Sequence, residues 1–154
     1  MADSDDYEIP VAKRCFGCGT ENEQGLGLKP RREAGAVWAV YHPKPHHRGF
    51  SRALHGGLVA ALFDEITCMA AATEVMALVA TVELTVRYLK PVPMDQPLRI
   101  EARDVGPHPD DPRRRRAEGK LTDLAGQVLA TAQGVYQKIP PDRLKQFFKE
   151  ADTL

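Results

Sequence analysis

The chain has 154 residues, 43% of them hydrophobic and 27% charged, which is the composition of one ordinary globular domain with enough apolar side chains for a core. Lys plus Arg and Asp plus Glu come to 21 each, so there is no electrostatic footprint for nucleic acid. No apolar run approaches the ~20 residues of a membrane span, the start MADSDDYEIP is acidic rather than leader-like, and three cysteines make no disulfide framework; a cytoplasmic protein with reduced thiols and no membrane partner is expected.

Residues 1–14 are polar and are expected to form a flexible N-terminal segment. Residues 15–30, CFGCGTENEQGLGLKP, hold four glycines and suit a structured loop. AVWAVYHP, 36–43, is rich in strand formers and is stopped by Pro43. After a polar loop, KPHHRGFSR, one long helix runs from 56 to about 75. Strands follow at 79–90, 97–105, about 114–123 and 127–138. The first of these alternates Val82, Leu84, Val86 and Tyr88 with Thr81, Glu83, Thr85 and Arg87, the pattern of a half-buried strand, and Pro91 and Pro93 end it. Pro107, Pro109 and Pro112 mark the next connection and DLAG, 123–126, the last turn. The tail, 140–154, reads as a short amphipathic helix begun by Pro141 and Asp142. There is no internal repeat and no second domain.

One strand, an apolar helix and four antiparallel-looking strands predict an α+β fold. A helix that is apolar all round must be covered on most sides. A curved antiparallel sheet can wrap it, and a second copy of the chain can cover the remainder.

The helix opens with His55, Gly56 and Gly57 and carries Asp64 within its apolar run. Around the helix, Asp64 shares a stripe with Ala60, Ala61, Cys68 and Ala71, small side chains that admit another backbone or a ligand. A helix N-terminus presents unpaired N–H groups and a partial positive charge, suited to a carbonyl oxygen becoming an oxyanion, and glycines allow close approach. Gly56 and Asp64 are eight residues apart, or about 12 Å along the axis, whereas catalytic contacts to one reacting group need about 3 Å each. If both act in one site, they come from different subunits, and the protein is a homodimer with interfacial sites. The alternative is structural: Asp64 forms a buried ion pair or polar contact at a dimer interface.

The motif H-G-G-x-x-x-x-L-x-D, formed by His55, Gly56, Gly57, Leu62 and Asp64, resembles the signature of PaaI-like hotdog-fold acyl-CoA thioesterases. The block VATVELTVRYLKPVP is similar to the second conserved block of that family. The leading C-F-x-C-G-x-x-N-x-x-G-L-G-L, from Cys15 to Leu28, is similar to a third. The resemblance spans 15 to about 138, so that a hotdog domain over 15–139 is flanked by 1–14 and 140–154. It implies a curved antiparallel sheet of five to six strands around one long central helix, assembled as a homodimer and often a homotetramer. It implies that the Gly56 N–H polarises the thioester carbonyl of an acyl-CoA, with Gly57 beside it. The resemblance further implies that Asp64 of the partner subunit acts as nucleophile or general base, that Thr81 assists or positions the water, and that His55 shapes the helix entrance. No metal is implied, and no cofactor beyond the CoA of the substrate. Two positions depart from the pattern: a subgroup has asparagine where this chain has Gly49, and many relatives have glycine at Arg52.

Arginine suits the phosphates of CoA. The run DPRRRR, 111–116, supplies Arg115, with Arg114 and Arg116 on the solvated face; Arg87 and Lys90 are comparable candidates. Cys15-x-x-Cys18 raises zinc, completed by His42, His46 or His47, or a redox pair. Zinc sites, however, usually show two regularly spaced ligand pairs, so plain loop thiols are expected. Cys68 reads as a core thiol. Three functions remain in view: acyl-CoA hydrolysis, a non-catalytic hotdog domain binding an acyl-CoA or apolar acid, and, ranked last, a hydratase or dehydratase on acyl thioesters.

Overall fold

The computed structural model describes residues 6–147. The long helix α1 (Gly56–Val75) lies against a seven-stranded antiparallel sheet of strands β1 (Tyr7–Glu8), β2 (Arg31–Glu33), β3 (Ala36–Tyr41), β4 (Val79–Tyr88), β5 (Leu98–Pro107), β6 (Arg114–Thr122) and β7 (Val128–Lys138), in the order β1-β2-β3-β5-β6-β7-β4. The five strands expected from alternation are all present. The sheet exceeds the expected five to six because β1 and β2 span only two and three residues, too few for a period of two to register. Part of the segment expected to be flexible thus joins the sheet edge, while residues 1–5 lie outside the described residues. The tail helix is present as α2 (Pro141–Phe147), and the rest of that expectation falls outside them too. Among the described residues no helix is long and apolar enough to cross a membrane.

The helix starts and stops where local chemistry dictates. His55 is extended (φ −60°, ψ 132°) and caps the first turn, and Met76 takes the left-handed conformation (φ 49°) that closes the last. Val59, Leu62, Phe63, Ile66, Thr67, Ala70 and Ala71 are buried against inward residues of the sheet that include Tyr41, Ile100, Leu121 and Tyr136. Burying a side chain such as Phe63 or Leu62 contributes about 1.5–3 kcal/mol each. Close approach depends on Gly119 in β6, where a methyl group would lie 3.1 Å from Thr67 Cγ2 and 3.2 Å from Phe63 Cδ1.

Two polar groups inside this core satisfy each other. Thr67 and Tyr136, both wholly buried, share a hydrogen bond between their hydroxyls, so neither is left unpaired. Gly134 makes the room: a methyl group there would sit 2.1 Å from the Tyr136 hydroxyl. Gly134→Ala is therefore expected to overpack the core and strain this hydrogen bond. The destabilisation should be about 1–3 kcal/mol, read as a lowered denaturant midpoint with an unchanged slope.

Candidate active site

At the start of α1, nearly every amide is already used. His55 Nδ1 accepts from the Gly57 N–H at 3.0 Å, which fixes an acceptor at Nδ1 and leaves Nε2 facing outward. The Leu58 and Val59 N–H groups donate to the His55 carbonyl at 2.9 and 3.1 Å. Among the described residues the Gly56 N–H has no partner, so the positive end of the helix is concentrated on that one donor. Of the two glycines read as contacting substrate, Gly56 keeps a free amide and Gly57 does not.

Tyr88, at the end of β4, donates to the Gly56 carbonyl at 2.7 Å. It holds the first residue of α1 against the sheet edge. Alternation marked Tyr88 only as an inward strand residue; its bond to a residue 32 positions earlier had no local signal. A cleft of about 280 Å³ opens here, bordered by Leu54, Gly56, Val59, Tyr88, Lys90 and Val92. A larger one of about 710 Å³ shares Ala53, Pro91 and Val92 with it and is lined further by Arg48, Phe50 and Met94.

The loop leading to this end explains the departure at Gly49. A side chain at Gly49 would place its Cβ 2.7 Å from the His55 Cα, so asparagine has no room in this arrangement. The Gly49 N–H closes a tight turn on the Ala53 carbonyl at 2.9 Å. Arg52 lies in that turn, next to Ser51 with its positive φ of 52°.

Asp64 lies two turns further along α1, half-buried, and accepts a hydrogen bond from the Thr81 hydroxyl at 2.8 Å. Simple alternation places Thr81 on the face opposite Leu84. The structure corrects this with a β-bulge: Thr81 pairs with Tyr136 while Glu83 pairs with Val135, so Val82 is an extra residue. The insertion returns Thr81 to the inner face, shared by its partner Tyr136 and by Leu84. The other carboxylate, Glu65, points instead toward Cys15 and Cys18 in the loop over the helix.

The basic candidates separate. Lys90 borders the smaller cleft. Arg87 pairs with Thr131 and lines a shallow depression with Gln133 and Glu118 on the outer face, away from α1. Arg115 does not offer a free charge: its guanidinium is bidentate to Asp104, with Nε at 3.0 Å from Oδ2 and a second bond from Nη2 to Oδ1. His47 is buried and bonded to the Tyr41 hydroxyl, whereas His42 and His46 are exposed.

Residues 52–105, which hold the helix entrance, α1, β4 and most of β5, match the sequence model of the thioesterase superfamily. No curated protein sequence matches the chain. Among solved structures, the thioesterase superfamily protein RHA08564 superposes with a TM-score of 0.74 at 22% identity, over 80% of this chain and 63% of that one. This chain therefore spans less than two thirds of that protein's length. A thioesterase superfamily protein from Shewanella loihica PV-4 gives a TM-score of 0.63 at 25% identity, over 79% of this chain and 98% of that one. The PaaI protein from the phenylacetic acid degradation operon of E. coli gives 0.65 at 16% identity, over 79% and 88%. The chain thus has the α+β hotdog fold of these structures, and the stretch that carries its central helix and β4 is similar in sequence to the thioesterase superfamily.

Proposed function

We propose that the protein is an acyl-CoA thioesterase whose active sites form between two copies of the chain. The observation that carries this reading is the pairing, on one helix, of a free N–H at Gly56 with a Thr81-bound carboxylate at Asp64, too far apart to serve one carbonyl from the same subunit. The Gly56 N–H receives the thioester oxygen and stabilises the charge that develops on it. Asp64 of the partner subunit takes a proton from water as the water attacks the carbonyl carbon, or attacks that carbon itself to give an acyl anhydride that water then hydrolyses to the free acid and the restored carboxylate. The C–S bond then breaks, and CoA leaves with a proton. Thr81 holds one carboxylate oxygen and leaves the other for the reaction. So written, the reaction needs no cofactor beyond the CoA of the substrate.

The topology suggests how two copies meet. β4 is an open edge of ten residues, and the exposed Leu78, Val82, Tyr88 and Leu89 lie on or beside it; an unpaired edge with apolar side chains is a template for a second strand. Tyr88 marks the Gly56 end of β4 and Thr81 the Asp64 end. Antiparallel pairing of β4 with its copy, about a twofold axis near Leu84 and Thr85, sets Tyr88 of each chain opposite Thr81 of the other. Gly56 of one copy then faces Asp64 of its partner across the interface. Pairing of two such dimers gives the tetramer, in a cytoplasmic protein with reduced thiols. Lys90 beside the cleft is the best placed of the basic candidates for a CoA phosphate.

Release of free thiol from a panel of short, medium, long and aromatic acyl-CoAs tests the reading directly. Asp64→Asn should lower kcat about 10²–10⁴-fold and Thr81→Ala about 10- to 100-fold, the worth of one hydrogen bond to a charged group. An unchanged rate in Asp64→Asn would sink the mechanism, and ligand stabilisation without turnover would favour a binding domain instead.

Gly56→Pro isolates the oxyanion donor. Proline is favoured at the first helical position and removes only an N–H that has no internal partner, and His55 is already extended as a residue before proline must be. The variant should fold with near wild-type stability and lose about 10²–10³ in kcat. Mixing Gly56→Pro with Asp64→Asn after reversible unfolding should restore activity, because each mixed dimer contains one site with neither defect. Sites built within one subunit give no rescue.

A further inference from the structure

The catalytic reading leaves Cys15, Cys18 and Glu65 unused, yet the structure draws them together. Cys15 Sγ lies 3.5 and 3.7 Å from the two Glu65 carboxylate oxygens, and one ligand atom from each of the three residues falls within 4.8 Å of the others. A tetrahedral zinc site with Zn–S bonds of about 2.3 Å has S···S edges of about 3.8 Å, so the side chains need only contract slightly. Cys18 is buried, and Cys15 and Glu65 are half-buried.

The loop is shaped around the carboxylate. Gly17 sits between the cysteines, and a methyl group there would lie 2.4 Å from Glu65 Oε2; only glycine lets the helix side chain reach between the thiols. The turn is held without the trio. Gly19 N–H donates to the Cys15 carbonyl at 2.9 Å, Leu26 N–H to Phe16 at 2.7 Å and Leu28 N–H to Gly17 at 3.0 Å, while Lys44 clasps the Gly25 carbonyl at 2.7 Å. The donor set is therefore preorganised.

Its charge is uncompensated. Among the described residues no Lys, Arg or His forms an ion pair with Glu65. A carboxylate drawn partly out of water is normally paired with a cation, and the two thiols beside Glu65 supply none. The histidines that the sequence offered as completing ligands do not join the set: His47 is bonded to Tyr41, and neither His42 nor His46 belongs to the ligand group.

We propose that Cys15, Cys18 and Glu65 bind one thiophilic divalent transition-metal ion of the zinc class. Two thiolates and a carboxylate fill three positions of a tetrahedron, and the fourth is left to water. On binding, the thiol protons, and that of Glu65 where present, pass to solvent. Thiolate donors select zinc-like ions over magnesium or calcium. The ion clamps the 15–28 loop to the turn of α1 next to Asp64, and the site stands independently of thioesterase activity.

The full chain, purified under a non-chelating reductant and dialysed after exposure to zinc, should retain about one zinc per chain by elemental mass spectrometry. Cobalt loaded in its place should show thiolate-to-cobalt charge-transfer absorption and the intense visible bands of tetrahedral coordination. Cys15→Ser and Cys18→Ser should each weaken that charge-transfer band, and Glu65→Gln should weaken zinc affinity about tenfold or more in competition with a chromophoric chelator. The wild-type cobalt spectrum needs no variant to fold. A folded wild type that retains no metal overturns the proposal, as does bound cobalt without the thiolate band, or a Cys15–Cys18 disulfide in place of metal under the same reducing conditions.

Discussion

The protein is organised by a helix that has no solvent face to spare. Its apolar residues run around most of the circumference, and the sheet buries one side of them against Tyr41, Ile100, Leu121 and Tyr136. That contact is close because Gly119 removes a side chain from the sheet where Phe63 and Thr67 press against it. Once α1 is seated there, its two ends and its remaining sides are committed. The N-terminus meets the end of β4 through Tyr88, and Arg32 of β2 reaches Thr73 and Glu74 near the C-terminus. Functional groups on α1 inherit their positions from this packing, which is more rigid than any loop could supply.

The bulge in β4 is the point at which the sheet accommodates the site. An unbroken strand alternates faces, so it cannot turn both Thr81 and Leu84 toward α1. One inserted residue, Val82, solves this and leaves its own side chain exposed on the open edge of the sheet. The same irregularity therefore aims a hydroxyl at Asp64 and places an apolar group where a second copy of the chain is proposed to pair. In that proposed pairing, the geometry around Asp64 and the assembly are coupled through a single residue of backbone.

Most of the architecture was legible because it is written in local periodicity. α1 begins at Gly56 and ends at Val75 as the helix pattern indicated, and β4 to β7 fall within about two residues of the alternating segments. Gly56, Asp64 and the argument from their separation needed only the helical rise. What was not legible depends on contacts between distant parts of the chain. The bulge leaves no mark in TVE, which reads as ordinary alternation. Arg115 looked free until β5 brought Asp104 across to it. Tyr88 joins Gly56 over 32 residues, and Cys15 joins Glu65 over 50. Such pairings are set by how the sheet curls around the helix, and no window of neighbouring residues contains them.

Asp64 and Glu65 show how one helix can give adjacent carboxylates unrelated surroundings. Consecutive residues on a helix point about 100° apart, enough here to send Asp64 toward the open edge of β4 and Glu65 under the glycine-rich loop. Asp64 meets a neutral hydroxyl donor and stays partly open to solvent. Glu65 meets two thiols beneath a backbone that only Gly17 allows. The difference is made by the partner surfaces, since both residues bring the same functional group. Exchanging the two environments would require rotating α1 by roughly a quarter turn, and that rotation would swing Phe63 and Thr67 off Gly119. The core that holds the helix therefore also keeps the two acids in separate surroundings.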